Sequence, residues 1–211
     1  MNDRLLIVDY NLADALTLCG VCAAVTAAML LLGGSAYAAL SLLYLAIFFD
    51  GIDGAVARKF NLQRPFGRFL DGFADVLTYI VFPLLLLRHV GDLQGVGGAL
   101  IGLLFVCAAI SRLAVFNEIG NVVTAEDRLS YLGMPVFWGG LACGPLYVLH
   151  LFLAGAGIRT VVDFLLVAYA VCMVANARFW KPKSMALIAV LTLCGFFAFG
   201  LLALGLIPVQ P

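Results

Sequence analysis

Long apolar blocks rich in Leu, Ala, Val and Phe follow one another along this chain, separated by short polar connections that hold most of its charge. A bilayer core takes about 20 apolar residues per helix. Division on that scale predicts seven spans, near 13–33, 35–57, 68–88, 97–117, 134–154, 160–178 and 185–207. Strict two-residue alternation is absent, which argues against a transmembrane β-barrel. The predicted fold class is therefore all-α, a polytopic membrane helical bundle. The fourth, sixth and seventh spans are the cleanest, although the sixth carries Asp163, and the first carries Asp14 near its start.

Composition agrees with a membrane setting. Of the 211 residues 64% are hydrophobic and 11% charged, against about 25% charged in ordinary globular domains, and the mean hydropathy is +1.12. Net charge is zero, so no basic excess calls for nucleic acid. Acids interrupt "MNDRLLIVDYNLAD" before any long apolar run, so the first span is expected to be retained rather than cleaved as a signal peptide. Ten of the twelve basic residues (Arg4, Arg58, Lys59, Arg64, Arg68, Arg112, Arg128, Arg178, Lys181 and Lys183) fall toward one side, leaving Arg88 and Arg159 for the other. The positive-inside rule makes the richer side cytoplasmic. Seven spans then leave the amino terminus inside and the carboxyl terminus outside, with the protein in the cytoplasmic (inner) membrane.

The six cysteines all lie in apolar runs and read as small packing residues. "CGVC" at Cys19–Cys22 has no second pair and no histidine beside it, so it is a weak zinc or redox signal. His89 and His150 fall near the predicted outer span ends and read as interfacial.

The unusual stretch is "DGIDGAVARKFNLQRPFGRFLDGFAD", from Asp50 to Asp75. Asp50 and Asp53 are three apart near the end of the second span, and Asp71 and Asp75 are four apart at the start of the third. On helices each pair shares a face, and a short loop keeps the pairs at similar depth. Such acids could pair with Arg58, Arg64 and Arg68 as interfacial salt bridges, with the glycines serving helix packing. Four convergent carboxylates, however, repel one another unless cations sit between them. All-oxygen ligation without His or Cys selects Mg²⁺, Mn²⁺ or Ca²⁺ over Zn²⁺. Four acids can hold two such ions, as phosphoryl chemistry requires. Gly51, Gly54, Ala57 and Gly67 leave room for a bulky ligand beside the metals, and Arg58 and Lys59 supply positive charge for a diphosphate.

These residues complete the pattern D-x2-D-G-x2-A-R-x8-G-x3-D-x3-D, through Asp50, Asp53, Gly54, Ala57, Arg58, Gly67, Asp71 and Asp75. The stretch resembles the signature of the CDP-alcohol phosphotransferase family. The resemblance implies a membrane enzyme that moves a phosphate-bearing group from a CDP-linked donor to an alcohol and releases CMP. It implies a single catalytic domain over 1–211 with a six-helix core, one further helix, and a homodimer. Asp50, Asp53 and Asp71 match the family's metal ligands, and Asp53, Gly54, Ala57, Arg58 and Gly67 match its cytidine diphosphate site. Asp75 matches its general base, close to the second metal.

Outside the signature, "IVDYNLADALTLCGVCAAV", "SRLAVFN", "YLGMP" and "MVANARFWKPK" are similar to segments of the phosphatidylserine synthase branch, which uses CDP-diacylglycerol and L-serine. Val115, Met134 and Ala175 depart from that branch, standing where it has Arg, Leu and Ser. "LDGFADVLTYIVFP" also resembles phosphatidylcholine synthases, with choline as acceptor. Serine is the preferred reading, with choline, inositol phosphate or glycerol phosphate as the alternatives. Arg112, Asn117, Arg128, Lys181 and Lys183 are candidate ligands for the acceptor or a lipid phosphate. Arg112 could instead snorkel, 117–133 could be a solvated loop, and Arg178, Lys181 and Lys183 could be an interfacial anchor. Tyr79, Phe116, Tyr131 and Trp180 are the aromatic groups available to a choline cation. A transporter with an acidic site would instead need midplane charges and a repeated half, and neither is evident.

Overall fold

The computed structural model describes residues 7–119, 122–123, 129–153, 155–180 and 185–206. These residues form a bundle of seven helices. They are α1 (Leu12–Leu32), α2 (Ala36–Lys59), α3 (Pro65–His89), α4 (Gly95–Ile119), α5 (Phe137–Phe152), α6 (Ala156–Val174) and α7 (Met185–Ala203). All but α5 are long and apolar enough to cross a membrane. The predicted fifth span, 134–154, shortens to the 16 residues of α5. At about 1.5 Å per residue it is near 24 Å long, short of a hydrocarbon core of about 30 Å.

Local chemistry sets the ends of α1 and α3. Asn11 caps α1: its side chain accepts from the Asp14 N–H at 3.0 Å, and the Asp14 carboxylate accepts from the Asn11 N–H at 2.9 Å. This capping box satisfies two donors that the first turn leaves open. Pro65 opens α3, where its missing N–H is not needed. Within the predicted span 68–88, α3 widens into a π-helical turn over Val76–Val81, where the Phe82 N–H reaches back five residues to the Leu77 carbonyl. Pro83 supplies a reason, because its ring clashes with the carbonyl four residues earlier, that of Tyr79.

The core runs along α2, α3 and α4 through Leu40, Leu43, Ile47, Tyr79, Ile80, Phe82, Leu86, Phe105 and Leu113. α7 packs against α2, with the Tyr44 and Phe199 rings stacked at 5.8 Å and the Ser41 hydroxyl donating to the Phe196 carbonyl. Beyond α4 the chain departs from the predicted loop. Strands β1 (Val122–Val123), β2 (Leu129–Leu132) and β3 (Arg178–Trp180) make a small antiparallel sheet in the order β1-β2-β3. Leu132 pairs with Arg178 and Tyr131 with Phe179, which ties the connection after α4 to the one after α6.

Six long helices, a seventh short one and little sheet make this an all-α, multi-pass membrane bundle. The cysteines are free thiols; only Cys143 is buried, Cys172 is half-buried, and the other four face outward rather than packing inside. His150 is tied to a buried acid. Its side chain is 8% exposed and its Nε2 lies 2.9 Å from Oδ2 of the buried Asp92.

Candidate active site

Two helices carry the signature carboxylates, and a short turn sets them face to face. Asp50 and Asp53 lie one turn apart toward the end of α2, and Asp71 and Asp75 lie in the first turns of α3. Asp50, Asp71 and Asp75, all half-buried, each present an oxygen within 4.8 Å of the other two. Asp53 stands beside this trio rather than in it. It is 4% exposed and accepts a hydrogen bond from the Thr17 hydroxyl of α1.

The salt-bridge alternative finds no support at these acids. Among the described residues none of the four forms an ion pair. Arg64 is committed elsewhere, to the buried Asp14 carboxylate and, at 2.7 Å, to the Asp9 carbonyl, with its guanidinium 4.9 Å over the Phe66 ring. Three carboxylate oxygens at this separation, none of them in an ion pair among the described residues, repel strongly when ionised. A hard divalent cation, which binds through oxygen alone, fits that donor set.

The small signature residues lie against neighbouring side chains. A Cβ on Gly54 would sit 3.3 Å from Nη1 of Arg58, so the exposed Arg58 side chain folds back over that glycine. A Cβ on Gly67 would sit 3.3 Å from Asp14 Oδ1, so the pair that holds Arg64 also abuts the signature turn. Ala57 is half-buried one turn past Asp53, while Lys59 is exposed and turned over Phe60 at 5.6 Å.

Arg112 does not snorkel. It is 5% exposed, with its guanidinium 4.9 Å from the Phe116 ring centroid and 5.5 Å from that of Tyr131. Its Nε has no hydrogen-bond partner among the described residues, and it is within electrostatic reach of Asp75. The sheet delivers Tyr131 to this position, and burial raises the Tyr131 hydroxyl above its ordinary value, with Arg112 opposing that rise. Asn117, one turn and a half beyond Arg112, packs onto Gly72 next to Asp71. Asn117 thus packs against the helix that carries Asp71 and Asp75, and Arg112 lies within electrostatic reach of Asp75, whereas Arg128, Lys181 and Lys183 lie outside the described residues.

Two supporting side chains escaped the sequence reading. Thr17 carries no signal, because nothing in the first span marks a hydroxyl for an aspartate 36 residues later. Tyr79 was grouped with the candidate choline contacts, yet its hydroxyl donates to Asp50 Oδ2 at 2.7 Å. Its place four residues after Asp75, itself four after Asp71, was the available signal.

Comparison with known proteins shows the family of this chain. The CDP-alcohol phosphatidyltransferase family model matches residues 10–175, which contain every signature residue. The archaetidylserine synthase of Methanothermobacter thermautotrophicus is 28% identical over 188 residues, 88% of this chain and 76% of that protein. The CDP-diacylglycerol–serine O-phosphatidyltransferase of Mycobacterium bovis is 29% identical over 196 residues, 87% of this chain and 68% of that protein. The protein of the same name from Helicobacter pylori is 33% identical over 138 residues, 64% and 56% of the two chains. With its complete signature at the junction of α2 and α3, and a family match over most of its length, the chain belongs to the CDP-alcohol phosphatidyltransferase family of membrane enzymes.

Proposed function

We propose that this enzyme transfers a phosphatidyl group from CDP-diacylglycerol to the hydroxyl of L-serine, releasing CMP, with divalent metal, Mg²⁺ or Mn²⁺, on the acidic cluster. The observation that carries serine is the state of Arg112. Its guanidinium already stands 4.9 Å from the Phe116 ring centroid and 5.5 Å from that of Tyr131, so both aromatic groups already serve a cation, which disfavours choline there. A buried guanidinium whose Nε lacks a partner favours an anion, and a serine carboxylate is one. The relatives named for serine transfer agree with this choice.

Asp50, Asp71 and Asp75, with Asp53 beside them, would hold the metal, which when bound neutralises the diphosphate and the charge developing on CMP. Arg58, with Asp53 and the small residues Gly54, Ala57 and Gly67 beside it, receives the cytidine diphosphate. Arg112 and Asn117 orient the acceptor. Asp75 takes the proton from the serine hydroxyl as its oxygen bonds to the β-phosphorus. The bond from that phosphorus to the bridging oxygen breaks, and CMP leaves with the electron pair. The positive-inside bias of the sequence supports a site that faces the cytoplasm.

The test is purified protein with Mg²⁺ or Mn²⁺, CDP-diacylglycerol and a panel of acceptors, read as CMP release. Serine should exceed the no-acceptor control. If choline, inositol phosphate or glycerol phosphate does so and serine does not, the acceptor assignment is wrong.

A further inference from the structure

We infer that Tyr79 is a positioning residue that fixes the Asp50 carboxylate in its metal-binding orientation. Its side chain is 2% exposed, and the phenolic O–H donates to Asp50 Oδ2 at 2.7 Å. A phenylalanine would fill the same apolar space. The hydroxyl is therefore there for a polar partner, and an unpaired one would be penalised in a membrane-embedded core.

Three features hold that contact. The first is the π-helical turn over Val76–Val81. In an α-helix each step of four residues overshoots a full turn by about 40°, so Asp71, Asp75 and Tyr79 would fan progressively away from one face. The wider turn, which takes more residues per revolution, reduces the overshoot between Asp75 and Tyr79 and returns the phenol toward Asp50. The second is Gly140 of α5, where a Cβ would lie 2.6 Å from Cδ1 and 2.9 Å from Cε1 of the Tyr79 ring. The third is chemical. An ionised carboxylate has about four acceptor sites. Tyr79 occupies one on Oδ2 and thereby limits which face of Asp50 can turn toward Asp71 and Asp75.

Given a divalent cation on this trio, as proposed above, the chain has spent a fold irregularity and an obligatory glycine on orienting one ligand. Partners of this kind typically change metal affinity by about 10- to 100-fold. The test is a Mn²⁺ titration of the metal-free full chain in detergent, following loss of the free-ion electron paramagnetic resonance signal, alongside thermal unfolding. Tyr79→Phe should keep the unfolding transition and weaken Mn²⁺ binding by about 10-fold or more. The Mn²⁺ concentration for half-maximal CMP release should rise by the same factor, with the rate largely restored at excess metal. Gly140→Ala, which displaces the ring but keeps the hydroxyl, should weaken Mn²⁺ binding in the same direction. Tyr79→Phe binding Mn²⁺ within about twofold of the parent overturns the role of Tyr79 while leaving the metal site standing. A parent chain that binds no Mn²⁺, or binds it equally well as Asp50→Asn, overturns the metal reading and the role of Tyr79 with it.

Discussion

The side-chain amide of Asn117 on α4 lies against Gly72 on α3 so closely that a Cβ there would sit 2.6 Å from Nδ2. Gly72 follows Asp71 directly, so this contact sets the spacing between the acidic helix and the helix that carries Arg112. Gly72→Ala should displace Asn117, destabilise the chain by about 1–3 kcal/mol as overpacking does, and lower CMP release at least 10-fold. Thermal unfolding and steady-state rates check both parts. An alanine variant with parental rate and stability would show the contact to be slack.

Asp75→Asn should reduce the rate about 10²- to 10⁴-fold, the usual contribution of a general base. Mn²⁺ binding should persist through the remaining acids. Loss of metal binding together with activity would make Asp75 chiefly a ligand.

Arg112→Met should raise KM for serine by about 10- to 100-fold, corresponding to the 1.5–3 kcal/mol of a charged hydrogen bond, with KM for CDP-diacylglycerol little changed. Arg112→Lys should recover only part of this, because an ammonium lacks the planar fork that stands near both Phe116 and Tyr131. An equal rise in both KM values would move Arg112 to the donor lipid.

Removal of divalent ions with a chelator should abolish CMP release, and Mg²⁺ or Mn²⁺ should restore it, since the trio is made of oxygen ligands only. Activity that survives exhaustive chelation would contradict the role given to these acids.

At the other end of α3 lies a separate charge cluster. Asp92 is 1% exposed, and His150 stands against it. Arg159 lies beside Gly91, and one oxygen of Asp163 is buried without a partner. Burial raises the Asp92 carboxyl above the ordinary range, with His150 opposing that rise. A carboxyl raised in the folded chain adds stability that is complete below its unfolded value and is lost as pH rises through its folded value. Asp92→Asn should therefore flatten the decline in stability over that interval. His150→Ala should cost about 1–3 kcal/mol by leaving a buried acid underpaired, and adding Asp92→Asn should recover most of it. Unfolding midpoints measured across pH check all three variants.

The helices were legible because a bilayer demands long apolar runs, and such runs leave few alternatives. The acidic signature was legible because charges in such a chain are expensive and these ones recur at helical spacing. The short α5 was less so, since the run 134–154 is apolar apart from His150 and only the backbone shows where its helix begins and ends. The small sheet was hidden as well, because its strands are two to four residues long and β2 pairs with β3 across the whole of α5 and α6.

By itself the sequence determined the membrane class, the signature acids and their helical pairing, since these follow from local composition and spacing. Tertiary structure alone decided which side chains hold those acids. Thr17 meets Asp53 across 36 residues, Tyr79 meets Asp50 across 29, and Tyr131 closes over Arg112 only because β2 pairs with β3. Such contacts depend on helix rotation and crossing, which packing of the whole bundle sets and no local pattern records.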